Sequence, residues 1–293
     1  MEAQPSPSPP RRGKPPELED WLNSRIYHPL SGRIAAALAP TPVTPNMVSV
    51  AGGTMIVAAG IVYVGIAGWA GVALGFLLHA LWHVLDGADG DLARRTGRAS
   101  PWGELIDGAC DYIGHFLLYV IVGVTLAQSV GWWAYPLGLS AGLSRIAQAN
   151  HSESGRRTYL WRVYGVPWLK QARPDPGSAT AEKGLAARLM AAVGRVYVAA
   201  AADPLAGRVD ELMDGGRAGE AARSLCKRAS RAPLRLQSLL GPNWRTVAMA
   251  LSMATGSALW FFLLEVLAGN ALLLWSKHLQ KRCDRELAER LGD

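Results

Sequence analysis

The sequence has little cysteine and long stretches without positive charge. Its three cysteines lie far apart and form no CxxC pair. The sequence therefore predicts neither a cysteine metal site nor a disulfide framework. No Lys or Arg occurs between Arg33 and Arg94, a gap long enough for two membrane spans of about 20 residues each. Residues 247–275 also contain no Lys or Arg. These absences favour an integral membrane protein.

Acidic residues are also missing on both sides of one short stretch. None occurs between Asp20 and Asp86, and the next after Asp111 is Glu153. The N-terminus is polar and rich in proline, so no cleavable signal peptide is predicted. Carboxylates between apolar segments are costly unless they are paired, hydrated or bound to metal, and this marks the stretch as a functional candidate.

The chain carries a net charge of +7 and has a pI of about 9.5. Such a balance is compatible with nucleic-acid binding. The Lys and Arg residues, however, lie mainly in the predicted tails and loops, as in a membrane protein with basic cytoplasmic segments. We therefore predict no nucleic-acid partner. The eleven Trp residues suit the two membrane interfaces.

The predicted fold class is all-α: a polytopic membrane bundle of about six transmembrane helices, with an amphipathic helix on the membrane surface at its N-terminus. The predicted segments are a disordered tail (1–16), the interfacial helix (17–40), transmembrane helices one to four (41–150), a cytoplasmic insertion (151–242), transmembrane helices five and six (243–278) and a charged tail (279–293). Within the insertion, Leu185–Ala202 is predicted to be a helix on the membrane surface or against the bundle, and a membrane span is the less favoured alternative. The positive-inside rule puts both termini and the acidic stretch on the cytoplasmic side of the inner membrane.

The acidic stretch reads DGADGDLARRTGRASPWGELIDGACD. Asp86 and Asp89 are three residues apart, and Asp107 and Asp111 are four apart, so each pair can share one face of a helix. Four converging carboxylates repel one another unless a cation holds them. Oxygen ligands favour Mg²⁺ or Mn²⁺, and four aspartates could hold two such ions. Two ions are suited to clamping a diphosphate and its leaving group.

Several other residues are left open by the sequence. Asp91 and Glu104 are interpreted as solvated acids near the site. His115, one turn after Asp111, either faces the same cleft or packs between helices. Glu265 faces either a dimer interface or a lipid cavity, and Asn46 is a candidate helix cap.

The acidic stretch also resembles the signature of the CDP-alcohol phosphotransferase family. Eight positions match at fixed spacing, in the order Asp86-x2-Asp89-Gly90-x2-Ala93-Arg94-x8-Gly103-x3-Asp107-x3-Asp111. The resemblance extends from about the surface helix to the last predicted span. The insertion at residues 151–240 is longer than expected for small members of the family. The resemblance gives little information about its structure or role.

The resemblance implies an integral membrane enzyme with six helices, usually dimeric. It would transfer a substituted phosphate from a CDP-linked lipid such as CDP-diacylglycerol to an alcohol or alcohol phosphate, and would release CMP. The implied metal ligands are Asp86, Asp89, Asp107 and Asp111. Asp111 would also be the catalytic residue, acting as the general base that deprotonates the acceptor hydroxyl. Gly90, Arg94 and Gly103 would lie against the CDP moiety.

The acceptor is not determined by the stretch. Family members that use phosphorylated acceptors carry basic residues on the fourth span, and here Arg145, Arg156 and Arg157 could serve. Alternatively the acceptor has no phosphate and Arg145 only extends to the membrane surface. Two further functions stay open: a Mg²⁺-dependent membrane prenyltransferase, and a divalent-cation carrier or non-enzymatic scaffold. A prenyltransferase has its two Asp motifs far apart, whereas a carrier does not need the glycines and Arg94 at fixed spacings.

Overall fold

The structure is a computed structural model that describes residues 15–99, 101–166, 204–213 and 218–292. Every regular element within these ranges is helical, and they contain no strand. The predicted all-α class is therefore confirmed. The predicted surface helix at Leu185–Ala202 lies outside the described residues, as does the predicted N-terminal tail up to residue 14.

Eleven α-helices are present in the described ranges: α1 (His28–Leu38), α2 (Pro45–Gly65), α3 (Gly68–Thr96), α4 (Pro101–Val130), α5 (Ala134–Tyr164), α6 (Pro204–Leu212), α7 (Glu220–Ala229), α8 (Arg231–Leu239), α9 (Pro242–Ala254), α10 (Leu259–Leu263) and α11 (Asn270–Gly292). A π-helical turn, Asn23–Tyr27, precedes α1, and another, Leu264–Gly269, joins α10 to α11. The chain divides into two compact units. The first unit comprises Glu19–Ile146 and Gly241–Asn270, and the second comprises the described residues of Met1–Leu18, Ala147–Leu240 and Ala271–Asp293.

Local sequence signals explain where α2 and α3 begin and end. Thr44 caps α2, because its hydroxyl accepts the backbone N–H of Met47 at 3.3 Å. The α3 helix ends where Gly97 adopts a φ of +67°, a conformation that favours glycine. The sequence predicts that this span ends at Asp86, but the helix continues to Thr96 because no proline or cap interrupts it earlier. The first three acids of the stretch are therefore helical.

Glycines let the first three long helices of the first unit approach closely. A Cβ atom at Gly53 of α2 would lie 3.0 Å from the carbonyl oxygen of Cys110 in α4. At Gly75 of α3, a Cβ atom would collide with the ring of Tyr63 in α2. The α2 helix thus packs against both α3 and α4. This packing brings the C-terminal part of α3 and the N-terminal part of α4 together, with the acids of the stretch between them.

The N-terminal helix packs on α3 through a similar contact. Ser31 of α1 donates its hydroxyl to the carbonyl oxygen of Val84 at 2.7 Å. A Cβ atom at Gly87 would lie 2.6 Å from the Ser31 hydroxyl oxygen. Gly87 therefore makes room for α1.

Among the residues that the structure describes, four segments are long and apolar enough to cross a membrane: Pro45–Gly65, Gly68–Thr96, Leu105–Tyr164 and Leu259–Gly292. The third contains both α4 and α5, which are separated by a 3-10 turn at Gly131–Trp133 where the sequence predicts a turn. The 13-residue α9 is too short to be counted by length. These segments indicate that the chain is an integral membrane protein. The predicted total of six membrane spans stays a prediction.

Glu265 is paired with an arginine of its own unit. Glu265 lies in the second π-helical turn and is 1% exposed. Its carboxylate accepts a hydrogen bond from Arg245 Nε at 2.8 Å. Because Arg245 is also buried, the pair neutralises two charges inside the unit. Glu265 therefore has a structural partner within its own unit.

The second unit is built around a buried arginine. Arg162 of α5 is 2% exposed and donates to Asp210 at 2.7 Å and to Asp284 at 2.5 Å. Its remaining nitrogen donates to the carbonyl oxygen of Ala206 at 3.0 Å. Apolar residues of α5, α6, α7 and α11 surround this contact. The predicted charged tail is thus the helical end of α11, and one of its acids, Asp284, is buried.

A second ionic contact ties residue 17 to this unit. The carboxylate of Glu17 accepts hydrogen bonds from Tyr159 at 2.6 Å and Tyr164 at 2.7 Å, and it lies 2.9 Å from the Lys227 ammonium. Burial raises the pKa of Glu17, but these hydrogen bonds outweigh burial and bring the pKa from 4.5 to about 2. Glu17 therefore remains ionised at neutral pH.

Candidate metal and nucleotide site

Three acids of the stretch converge between α3 and α4. Asp86, Asp107 and Asp111 each offer a carboxylate oxygen, and these oxygens lie within 4.8 Å of one another. Asp107 and Asp111 face the same way because they are one helical turn apart. Three carboxylates at this separation are a donor set suited to a hard divalent cation such as Mg²⁺ or Mn²⁺.

The fourth predicted ligand, Asp89, lies beside this group. Its side chain is within hydrogen-bonding reach of Asp107. The residue is 6% exposed, and it accepts the hydroxyl of Ser49 and the backbone N–H of Gly90, each at 2.5 Å. Asp89 is therefore held in place by α2 and by its own helix, next to the three-acid group.

A cavity of about 500 Å³ opens from Asp89 and Asp107. The residues that line it come from α2, α3, α4 and the connection between α3 and α4: Pro45, Asn46, Ser49, Asp89, Gly90, Ala93, Arg94, Arg98, Ala99, Gly103 and Asp107. All three residues predicted to contact a nucleotide are in this set. The cavity thus joins two of the acids to the predicted nucleotide residues.

Arg94 is folded back along its own helix. A Cβ atom at Gly90 would lie 3.3 Å from the Arg94 Nη1 atom. Arg94 Nη2 donates to Asp91 Oδ1 at 2.5 Å, and its side chain is 70% exposed. Asp91, interpreted from sequence as a solvated acid, is therefore the ion-pair partner of Arg94. The side chain of Glu104 lies outside the described residues.

Two cavity residues were missed by sequence reasoning. Arg98 follows Gly97, and the left-handed turn at that glycine directs the chain back so that Arg98 lines the cavity. Ser49 lies one helical turn after Asn46 and bonds Asp89 across 40 residues of sequence. The glycine after Thr96 is a signal that could have located Arg98, but no local signal marks Ser49. Asn46 lines the cavity, whereas Thr44 caps the helix.

Asp111 has a distinct set of neighbours inside the first unit. Trp82 Nε1 donates to Asp111 Oδ1 at 2.6 Å. His115 Nδ1 lies 2.8 Å from the backbone carbonyl oxygen of Asp111, and its ring meets Trp82 edge-on at 4.5 Å. Of the two interpretations of His115, the packing one fits: the side chain is 5% exposed and contacts the backbone of Asp111.

The three candidate acceptor residues belong to different units. Arg145 belongs to the first unit, where its guanidinium carbon lies 6.0 Å from the centroid of the Tyr119 ring. Arg156 and Arg157 belong to the second unit, where both are ion-paired with Glu153 at 2.5 and 2.6 Å. These pairs are three and four residues apart on α5.

Residues 42–160 match the model of the CDP-alcohol phosphatidyltransferase family. Residues 42–160 form a CDP-alcohol phosphatidyltransferase domain. This domain contains the four acids, the predicted nucleotide residues and the three candidate acceptor arginines, and the predicted family is confirmed.

A relative of this chain is found in Dictyostelium discoideum. It is a CDP-alcohol phosphatidyltransferase class-I family protein, and it is 36% identical over 64 residues. The match covers 22% of this chain and only 15% of the length of that relative. The family that residues 42–160 match is one of transferases.

Proposed function

We propose that the protein is a CDP-alcohol phosphotransferase of phospholipid biosynthesis. It transfers a phosphatidyl group from a CDP-linked lipid such as CDP-diacylglycerol to an alcohol or alcohol phosphate. The observation that carries this proposal is the acid cluster of α3 and α4 beside the cavity that contains Gly90, Arg94 and Gly103. A cation site next to a nucleotide-sized cavity suits a diphosphate substrate.

The acids have two tasks in this proposal. Asp86, Asp89, Asp107 and Asp111 would hold Mg²⁺ or Mn²⁺, and the donor set has enough carboxylates for two ions. Such ions, when bound, supply charge neutralisation for a diphosphate and its leaving group. The Ser49 hydroxyl and the Gly90 N–H fix Asp89 for this purpose.

Asp111 acts in addition as the general base. A hydroxyl is a poor nucleophile at neutral pH, so its proton has to be removed as the oxygen attacks. Asp111 takes that proton, and the acceptor oxygen bonds to the phosphorus on the lipid side of the diphosphate. The phosphorus–oxygen bond to CMP breaks at the same centre, and CMP leaves with that oxygen.

The acceptor is proposed to be a phosphorylated polyol. Arg145 is the strongest of the three candidate contacts, because it shares a unit with the acid cluster and stands over an aromatic ring, with no ion pair to an acid among the described residues. Arg156 and Arg157 already share Glu153, which weakens the case for them. Arginine in a membrane span commonly has an anionic partner.

We further propose that the protein acts at the inner membrane as a homodimer, with the site and both termini facing the cytoplasm. The distribution of Lys and Arg supports this orientation. The dimer follows only from the family resemblance.

The proposed function is tested by a substrate panel with purified protein in detergent. CDP-diacylglycerol and Mg²⁺ or Mn²⁺ are combined with inositol phosphate, glycerol phosphate, inositol, ethanolamine, choline or serine. We expect CMP release with one acceptor class and none after chelation of the metal. Pyrophosphate release from a prenyl diphosphate would instead identify a prenyltransferase, and no release from either donor would favour a carrier or scaffold.

Arg98 is expected to contribute to nucleotide affinity. Arg98→Ala should raise the KM for the CDP-linked donor by roughly 10-fold, because it removes a cation from the cavity, and a hydrogen bond to a charged group is worth about 1.5–3 kcal/mol. The turnover number should change little. Arg95→Ala is the matched control, since Arg95 is an exposed arginine near the C-terminal end of α3 and does not line the cavity. An equal KM for both variants would show that Arg98 does not contribute to binding of the CDP-linked donor.

A further inference from the structure

Trp82 contacts the proposed general base, Asp111. It lies on α3 one helical turn before Asp86, on the face that carries the acids. Its indole N–H donates to Asp111 Oδ1 at 2.6 Å, and the residue is only 4% exposed. A tryptophan nitrogen is a donor only, so this hydrogen bond has a fixed direction.

The indole ring is itself held firmly. His83 lies against it with ring centroids 4.3 Å apart, and His115 meets it edge-on at 4.5 Å. On the opposite helix, a Cβ atom at Gly52 would lie 3.4 Å from the Trp82 Cδ1 atom, so α2 closes tightly over the ring. Because the ring cannot turn, the N–H points at one place, and the carboxylate of Asp111 occupies it.

We propose that Trp82 is a positioning residue that sets the orientation of the Asp111 carboxylate. By holding Oδ1, the indole leaves the other carboxylate oxygen, Oδ2, available to a metal ion and to the acceptor hydroxyl. This inference rests on the proposed function, in which Asp111 is both a metal ligand and the base. Mutation of a residue that hydrogen-bonds to a metal ligand and orients it commonly lowers metal affinity or activity by about 10- to 100-fold.

Two variants at position 82 separate the effect of the hydrogen bond from the effect of ring packing. Trp82→Phe keeps an aromatic ring between the two histidines and removes only the donor and part of the ring volume. Incorporation of 3-benzothienylalanine at position 82 keeps the whole shape, because sulfur replaces the N–H. The second variant therefore decides the question even where the first one fails to fold. Trp69→Phe is the matched control, since Trp69 is on the same helix and is 76% exposed.

Two readouts are needed, and one of them does not depend on activity. Mn²⁺ affinity is measured by electron paramagnetic resonance of the free ion, and kcat and KM are measured by CMP release. We expect Trp82→Phe and the sulfur analogue to bind Mn²⁺ about 10- to 100-fold more weakly and to lose a similar factor in kcat. The KM for the CDP-linked donor should stay within about 2-fold, because Trp82 does not line the cavity. The control should match the unmodified protein.

A double-mutant cycle completes the test. In an Asp111→Ala background, which removes the acceptor of the indole N–H, the sulfur analogue should cause no further loss of Mn²⁺ affinity, because the two residues act through one contact. Additive losses, or an analogue with unchanged Mn²⁺ affinity and kcat, would overturn the positioning role. If Mn²⁺ affinity falls as expected but no acceptor yields CMP, the proposed reaction fails while the positioning of Asp111 stands.

Discussion

Replacing Asp111 with Asn is expected to abolish CMP release while nucleotide binding stays close to that of the unmodified protein. The amide cannot take a proton from the acceptor hydroxyl, and general base catalysis contributes about 100- to 10,000-fold to rate. The loss of one negative ligand weakens metal binding in addition. Nucleotide binding is preserved because Asp111 does not line the cavity. The measurement is CMP release together with calorimetric binding of CDP in the presence of Mg²⁺.

The matched control is Tyr112→Phe, at the next residue of α4, where the side chain is 55% exposed. It should keep the turnover number of the unmodified protein. Full activity of Asp111→Asn would contradict its role as the base. Loss of CDP binding together with activity would instead indicate that the substitution has disturbed the whole site.

Arg162→Met is expected to destabilise the second unit strongly. It leaves Asp284 and Asp210 without the cation that they share, and breaking a buried ion pair in this way costs about 3–5 kcal/mol. We expect the midpoint of thermal unfolding in detergent to fall by on the order of 10 °C. Thermal unfolding followed by circular dichroism measures the change.

Arg290→Met provides the matched control, because Arg290 is 60% exposed and pairs with Glu286 at the surface. A surface pair contributes about 0–1 kcal/mol, so the midpoint should hardly move. Replacing Arg162, Asp210 and Asp284 together by apolar residues should recover much of the lost stability, since no uncompensated charge then remains. Equal midpoints for the two single variants would show that the buried arginine is not needed for stability.

Part of the acid cluster could be predicted, because the spacing of Asp107 and Asp111 within one helix is a local property. On a helix, residues three or four apart face the same way whatever the rest of the fold does. Asp107 and Asp111 therefore converge as expected, and the position of Gly90, Arg94 and Gly103 around a common cavity agrees with their place in the motif.

The extents of the helices were less predictable. The second span was predicted to end at Asp86, but α3 continues until Gly97 provides a left-handed cap. Residues from 151 onward were predicted to leave the bundle, yet α5 runs to Tyr164, with Glu153 paired to two arginines on the same helix. A drop in hydropathy marks the end of an apolar segment, whereas a helix ends only where its backbone is capped.

By itself, the sequence determined the helical class, the membrane character, the family of the domain and the identity of the acids, because these depend on composition, on spacing within one helix and on a contiguous motif. Only the tertiary structure decided which residues support those acids. Ser49 reaches Asp89 from α2, Trp82 reaches Asp111 from α3, and Gly87 makes room for Ser31. Each of these contacts joins two helices, and its geometry depends on how closely they pack and how they are rotated about their axes, which no local pattern encodes.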